Sequence, residues 1–167
     1  MIALELTNIK EFMNTLLRTE VFDHFLLQEA VIVNGATHII DGHIAPGFYT
    51  EEEAQALGID GLGILPYSML RGNCFDIIKG KKTPASFKFI LMLSPNNLER
   101  TLKAAGTSFT TNDITGVLIN LKYQNQLLTL TTGVSYAIFS PDKSLEIYWD
   151  QAMKKFLFQN GIAFEEL

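Results

Sequence analysis

Apolar residues recur along the chain with two periods, and the switches between them mark out the elements. Ile2, Leu4 and Leu6 alternate with Ala3 and Glu5, which predicts a short strand. Ile9, Phe12, Met13, Leu16 and Leu17 then fall at i, i+3, i+4, i+7 and i+8, the stripe of a helix with one buried face, which Thr7 or Asn8 can cap. Phe25 to Val33 has strand composition. Asn34-Gly35 predicts a type I′ turn with both residues at positive φ, and Thr37 to Ile40 returns as the second strand of a hairpin.

Residues 45 to 66 break this rhythm. Pro46-Gly47 ends the extended run, Thr50 and Glu53 have the spacing of a capping box, and a short acidic helix should reach about Leu57. Gly58, Gly61 and Gly63 predict a mobile loop over 58–66, in the position of a lid. Ser68 to Lys79 reads as a helix that buries Met69, Cys74, Ile77 and Ile78, and Lys79 to Pro84 is the one basic cluster.

Phe87 to Leu93 is almost continuously apolar, as expected of a strand well inside a sheet. Ser94-Pro95 supplies an N-cap and a first-turn proline for a helix whose stripe is Leu98, Leu102 and Ala105. Val117, Ile119, Leu121 and Tyr123 alternate against Asn120 and Lys122, turn at Gln124-Asn125, and return through Gln126 to Thr132; Val134 to Phe139 is expected as a third strand. After Ser140-Pro141-Asp142 comes the most regular stripe of all, Leu145, Tyr148, Trp149, Ala152, Met153, Phe156 and Leu157, and Ile162 to Phe164 can add a closing strand. The expected fold is α+β, one domain over 1–167, with mainly antiparallel sheet and helices packed on one side. A strand-helix-strand-strand-strand unit is discernible twice, in halves 1–80 and 85–167.

Composition narrows the classes. The chain has 167 residues, 47% of them hydrophobic and 19% charged, enough for a sizeable core and far from a disordered composition. A formal net charge of −5 gives the whole chain no attraction to phosphate backbones or anionic membranes. The single cysteine fits a reducing compartment. Glu5 interrupts any leader-like apolar core, and no apolar run approaches membrane-spanning length, so a cytoplasmic location with no membrane partner is expected.

Phe89-Ile90-Leu91-Met92-Leu93-Ser94-Pro95-Asn96-Asn97-Leu98 and Val117-Leu118-Ile119-Asn120-Leu121-Lys122, taken with the duplicated unit, resemble one domain of the sliding DNA clamps. That resemblance implies a DNA partner, against which stand the mixed charges on the outward faces of the two helices, Lys10, Glu11, Asn14 and Arg18 on the first and Asn97, Glu99, Arg100 and Lys103 on the second. Over its whole length the chain is also similar to a family of short clostridial-type Firmicutes proteins of unknown function, through Phe22-Asp23-His24-Phe25-Leu26-Leu27, Ile78-Lys79-Gly80-Lys81-Lys82-Thr83-Pro84 and Phe164-Glu165-Glu166-Leu167.

Candidate chemistry is sparse. His38, Asp41 and His43 have the residue types of a metal site, but strand alternation separates the two histidines and no further ligand is near, so no metal is assigned. Asp23-His24 with Glu29 has the types of an acid/base pair and lacks a nucleophile. Cys74 reads as a small core residue, with Arg71 one turn earlier. Gly80-Lys81-Lys82-Thr83 lacks the upstream glycine of a phosphate loop and follows a helix instead of opening one. Arg71, Lys79, Lys81 and Lys82 remain as candidate phosphate or nucleic-acid contacts. No catalytic residue and no cofactor are assigned. The expected function is a non-enzymatic interaction or scaffold domain with a protein partner, with two alternatives: a DNA-associated clamp-like factor, and a small-molecule binder or enzyme using 58–66 as its lid.

Overall fold

A computed structural model describes residues 1–167. The chain runs β1 (Ala3–Leu6), α1 (Ile9–Arg18), β2 (Phe25–Val33), β3 (Thr37–Asp41), α2 (Glu51–Leu57), α3 (Tyr67–Ile78), β4 (Ser86–Leu93), α4 (Pro95–Ala105), a 3-10 turn at Thr111–Asp113, β5 (Ile114–Gln124), β6 (Leu127–Tyr136), α5 (Ser144–Gln159) and β7 (Phe164–Glu166). The strands form one sheet in the order β3-β2-β4-β5-β6-β1-β7. Every neighbouring pair is antiparallel, which makes the fold α+β as expected.

Register puts a continuous apolar surface on one side. Ala30 opposes Phe89, which opposes Leu121, which opposes Leu130, which opposes Leu4, and all five are buried. Leu27, Leu91 and Ile119 make a parallel row that ends on Thr132, the one buried polar residue. Each such Leu, Ile or Phe, removed from water, contributes about 1.5–3 kcal/mol. Phe12, Leu16 and Leu17 of α1, Tyr67 and Cys74 of α3, Leu102 of α4, and Leu145, Trp149, Met153 and Leu157 of α5 close this face. The stripes of α1 and α5 are those the periodicity predicts, and the caps at Thr50 and Ser94 form as expected, with Thr50 and Glu53 making a complete capping box.

Two links tie the helical layer together. Tyr67 Oη donates to Leu16 O at 2.9 Å, joining α3 to α1. Phe22 packs edge-on against both Phe12 and Phe156, with ring centroids at 5.6 and 5.5 Å, joining α1 to α5. The opposite face of the sheet carries Val31, Lys88, Ile90, Leu118 and Lys122 and stays partly open to solvent.

Several sequence expectations need correction. Val134 to Phe139 is no separate strand, because β6 runs unbroken from Leu127 to Tyr136 against a β5 of matching length. Asn34-Gly35 does not form a type I′ turn. Neither residue has positive φ; instead Asn34 Oδ1 accepts from Ala36 N at 3.1 Å, closing a local side-chain turn. The positive-φ pair lies at Asn125 and Gln126, one residue beyond the expected position, where the tight β5–β6 connection demands it. The closing strand is displaced to Phe164–Glu166, since Ile162 still belongs to the buried helix terminus through its bond from N to Leu157 O. β4 pairs with β2 and β5, whereas β1 pairs with β6 and β7.

After β3 the chain must cross the end of β2 before it can lay down α3. Gly42 makes that crossing: its N–H donates to Gln28 O at 3.1 Å, and a Cβ there would stand 1.7 Å from Leu27 O. Gly42→Ala should therefore cost at least about 2 kcal/mol, as backbone overpacking does. Gly35→Ala, where a Cβ meets nothing within 4 Å, serves as the near-neutral control. Urea denaturation of the two variants checks this, and equal midpoints would contradict the close approach.

Candidate functional site

The glycine-rich segment after α2 is held at both ends. Gly58, in the left-handed region, caps α2 by donating to Ala54 O and Gln55 O, and the buried Ile59 anchors the next residue. Farther on, Leu65 N donates to Gly42 O at 2.8 Å, Ile44 N to Gly63 O at 2.9 Å, and Leu27 N to Leu65 O at 3.0 Å. Between these anchors Asp60, Gly61 and Leu62 form a rim, in which Leu62 N donates to Ile59 O at 3.0 Å, so hydrogen bonds hold much of the segment expected as a mobile loop.

Beneath that rim lies a cleft of about 570 Å³, within the usual range of ligand sites. Its floor is Asp23, His24, Phe25 and Leu26, the chain entering β2. Its far wall is the start of α4, with Ser94, Asn96, Asn97 and Arg100. Asn97 Nδ2 donates to His24 O at 3.4 Å and so ties wall to floor. Ser94 Oγ accepts from Asn97 N, and Ser94 O accepts from Leu98 N, so the first turn of α4 is already well satisfied by its own cap.

Asp23 is fixed from behind. Arg71 on α3 places Nε and Nη2 each 3.0 Å from one of its carboxylate oxygens, the two-pronged geometry that only a guanidinium gives. Both side chains are largely buried, 24% and 15% exposed, so solvent screens the pair only in part. Arg71, expected as a phosphate contact, thus serves to hold the cleft floor.

The other expected contacts lie elsewhere. Lys79 stands about 12 Å farther along α3 by helical rise; it pairs with Asp76 at 3.0 Å and sits 5.9 Å from the Phe75 ring. Lys81 and Lys82 are exposed in the segment leading to β4 and make no ion pair. Glu29 faces away from Asp23 and His24, paired with Lys88 on the open face of the sheet at 3.2 Å, so those three do not assemble. His38 bonds Asn34 at 3.2 Å, while His43 bonds Asp41 at 2.5 Å. The His43 N–H, and then its ring, hold the Asp41 carboxyl below the usual carboxylate range. No three metal-ligating side chains come together anywhere in the chain. Burial pushes the Cys74 thiol up to about 12 and raises the Tyr67 phenol well above its ordinary value.

Asp60, Asn97 and Arg100 went unassigned in the sequence. Each is a solvated residue of its own segment, and only the apposition of three segments makes them neighbours of one cavity.

The chain belongs to a family of unknown function, DUF5721, whose model matches residues 15–165. No curated protein and no solved structure matches it. No helix is long and apolar enough to cross a membrane.

Breaking the Asp23–Arg71 pair should loosen the floor. In a double-mutant cycle with Asp23→Asn and Arg71→Gln, read by chemical denaturation, the coupling should be about 1–2 kcal/mol, and a value near zero would contradict the two-pronged bond. The Cys74 thiol should resist iodoacetamide in the folded protein at pH 8 and react once urea unfolds it. Because folding raises its pKa from an ordinary 9.0, its contribution to stability is whole below pH 9 and is lost as pH rises toward 12. Rapid alkylation of the folded protein would contradict the burial.

Proposed function

We propose that this protein binds a small molecule in the cleft beneath the Gly58–Pro66 loop, and that it does so as a non-enzymatic binding domain. The observation that carries the proposal is the cavity itself: about 570 Å³, bounded by a glycine-bearing rim, a fixed floor and a capped helix start. Asp23, His24 and Asp60 offer polar contacts there, yet no hydrogen bond joins one to another and no activated nucleophile stands beside them. The lone thiol is deep in the core and protonated at neutral pH. A reducing, cytoplasmic setting suits a chain whose single cysteine is buried.

One observation favours a protein partner as a second reading. The open sheet face carries half-buried Val31, Ile90, Met92 and Leu118, and Asn120 Oδ1 is buried there without a partner. A clamp-like DNA role draws less support, since Arg71 and Lys79 are each already engaged with a carboxylate.

Asn96 lines the polar cleft from an exposed position on α4, so Asn96→Trp fills the cavity without entering the core. Saturation-transfer NMR of the intact protein against a library of small polar metabolites should find binders, and Asn96→Trp should abolish their signals while leaving the melting temperature within a degree or so. No binder at all, or binders indifferent to Asn96→Trp, would overturn the proposal.

A further inference from the structure

The cleft does not end at α4. His24, Phe25, Asn97 and Arg100 also line a second cavity of about 350 Å³ that runs between α4 and α5. Its character is different. Leu93, Tyr148, Trp149, Met153 and Phe156 supply apolar walls, while Thr101, Ala104 and Ala152 keep the groove open by being small. These α5 residues belong to the predicted stripe, but Tyr148, Ala152 and Phe156 are only half-buried because nothing in the chain fills the space beside them.

Charge is arranged unequally along this joined space. Of the groups that line the apolar groove, Arg100 is the one permanent charge, with the titratable His24 beside it. Arg100 has no carboxylate within ion-pair distance; its guanidinium reaches only Asn97 Oδ1, at 3.5 Å. Asp23, one of the two acids of the polar compartment, is already neutralised by Arg71. Asp60 sits on the rim of the polar compartment and does not line the groove. An apolar body lying between α4 and α5 would therefore meet an unpaired cation where the groove opens into the wet compartment.

We propose that the ligand of this cleft is an amphipathic monocarboxylate, its apolar body in the α4–α5 groove and its carboxylate on Arg100. The inference rests on the small-molecule reading and specifies the ligand class for the same site. A guanidinium gives a carboxylate paired hydrogen bonds, and the groove walls supply the hydrophobic contribution that the polar compartment alone lacks. His24 at the junction can donate a further hydrogen bond to the same head group.

Trp149, the only tryptophan in the chain, lines the groove and reports its occupancy. Decanoate, kept below its micellar concentration, is titrated into the full chain while Trp149 emission is followed. A saturable change is expected. Arg100→Gln should weaken it by about tenfold to a hundredfold, the range for losing a hydrogen bond to a charged group, and uncharged decanol should bind about as weakly to the unaltered protein. Arg100 is solvent-exposed, so an unchanged melting temperature confirms that the variant is folded. Unchanged emission, or equal affinity of decanoate for the protein and for Arg100→Gln, would overturn the assignment. If decanoate fails while polar metabolites still bind in a manner lost on Asn96→Trp, the ligand class is wrong and the cleft stands. If neither binds, both fall.

Discussion

One face of the antiparallel sheet is dry and the other is not, and the rest of the molecule follows from that asymmetry. Strands β2, β4, β5, β6 and β1 present a continuous sheet of Leu, Ile, Phe and Ala on the closed side. Burying it needs the faces of α1, α3, α4 and α5 together, since no one helix spans five strands. The helices are in turn fixed to one another, by the Tyr67 hydroxyl on the Leu16 carbonyl and by Phe22 wedged between Phe12 and Phe156. A hydroxyl buried that deeply has to find an acceptor, so the α1–α3 contact fixes direction as well as area.

That demand also creates the cleft. To carry α3 back onto the closed face, the chain after β3 crosses the end of β2, with Gly42 against the Leu27 carbonyl and residues 63–66 bonded to Leu27, Gly42 and Ile44. The crossing leaves the 58–62 stretch overhanging the point where the chain enters β2. On the other side α4 leaves β4 at the neighbouring strand end, so its first turn faces the overhang. The polar compartment is the space between the two. The groove is the residue of a similar compromise, since α4 and α5 meet through small side chains on one side and aromatic ones on the other.

Much of the fold was legible because it depends on local periodicity. The stripes of α1 and α5, the caps at Thr50 and Ser94, and the continuous strand at β4 needed no knowledge of neighbours. The misreadings share a cause: they concern choices made between segments. Asn34-Gly35 has the residues of a type I′ turn, but the Asn34 side chain closes the turn and also reaches Ile77 O at 3.2 Å, so another geometry prevails. β6 absorbs the expected third strand because β5 is long enough to pair with all of it. Arg71 looked available for phosphate until α3 lay beside Asp23. His24 and Arg100 lie far apart in sequence, and no periodicity links a loop residue to the outer face of a helix. Strand order was equally hidden, because the β2–β4 and β6–β1 ladders join segments that local pattern does not connect.

Occupancy of the joined cleft is most directly read by amide and indole NMR of the whole protein as decanoate is added. Binding there predicts shifts concentrated at His24, Asn97, Arg100 and Ala104 and at the Trp149 indole N–H, with residues on the open sheet face, such as Val31 and Ile90, left in place. Shifts confined to that open face, or to Lys81 and Lys82, would contradict it.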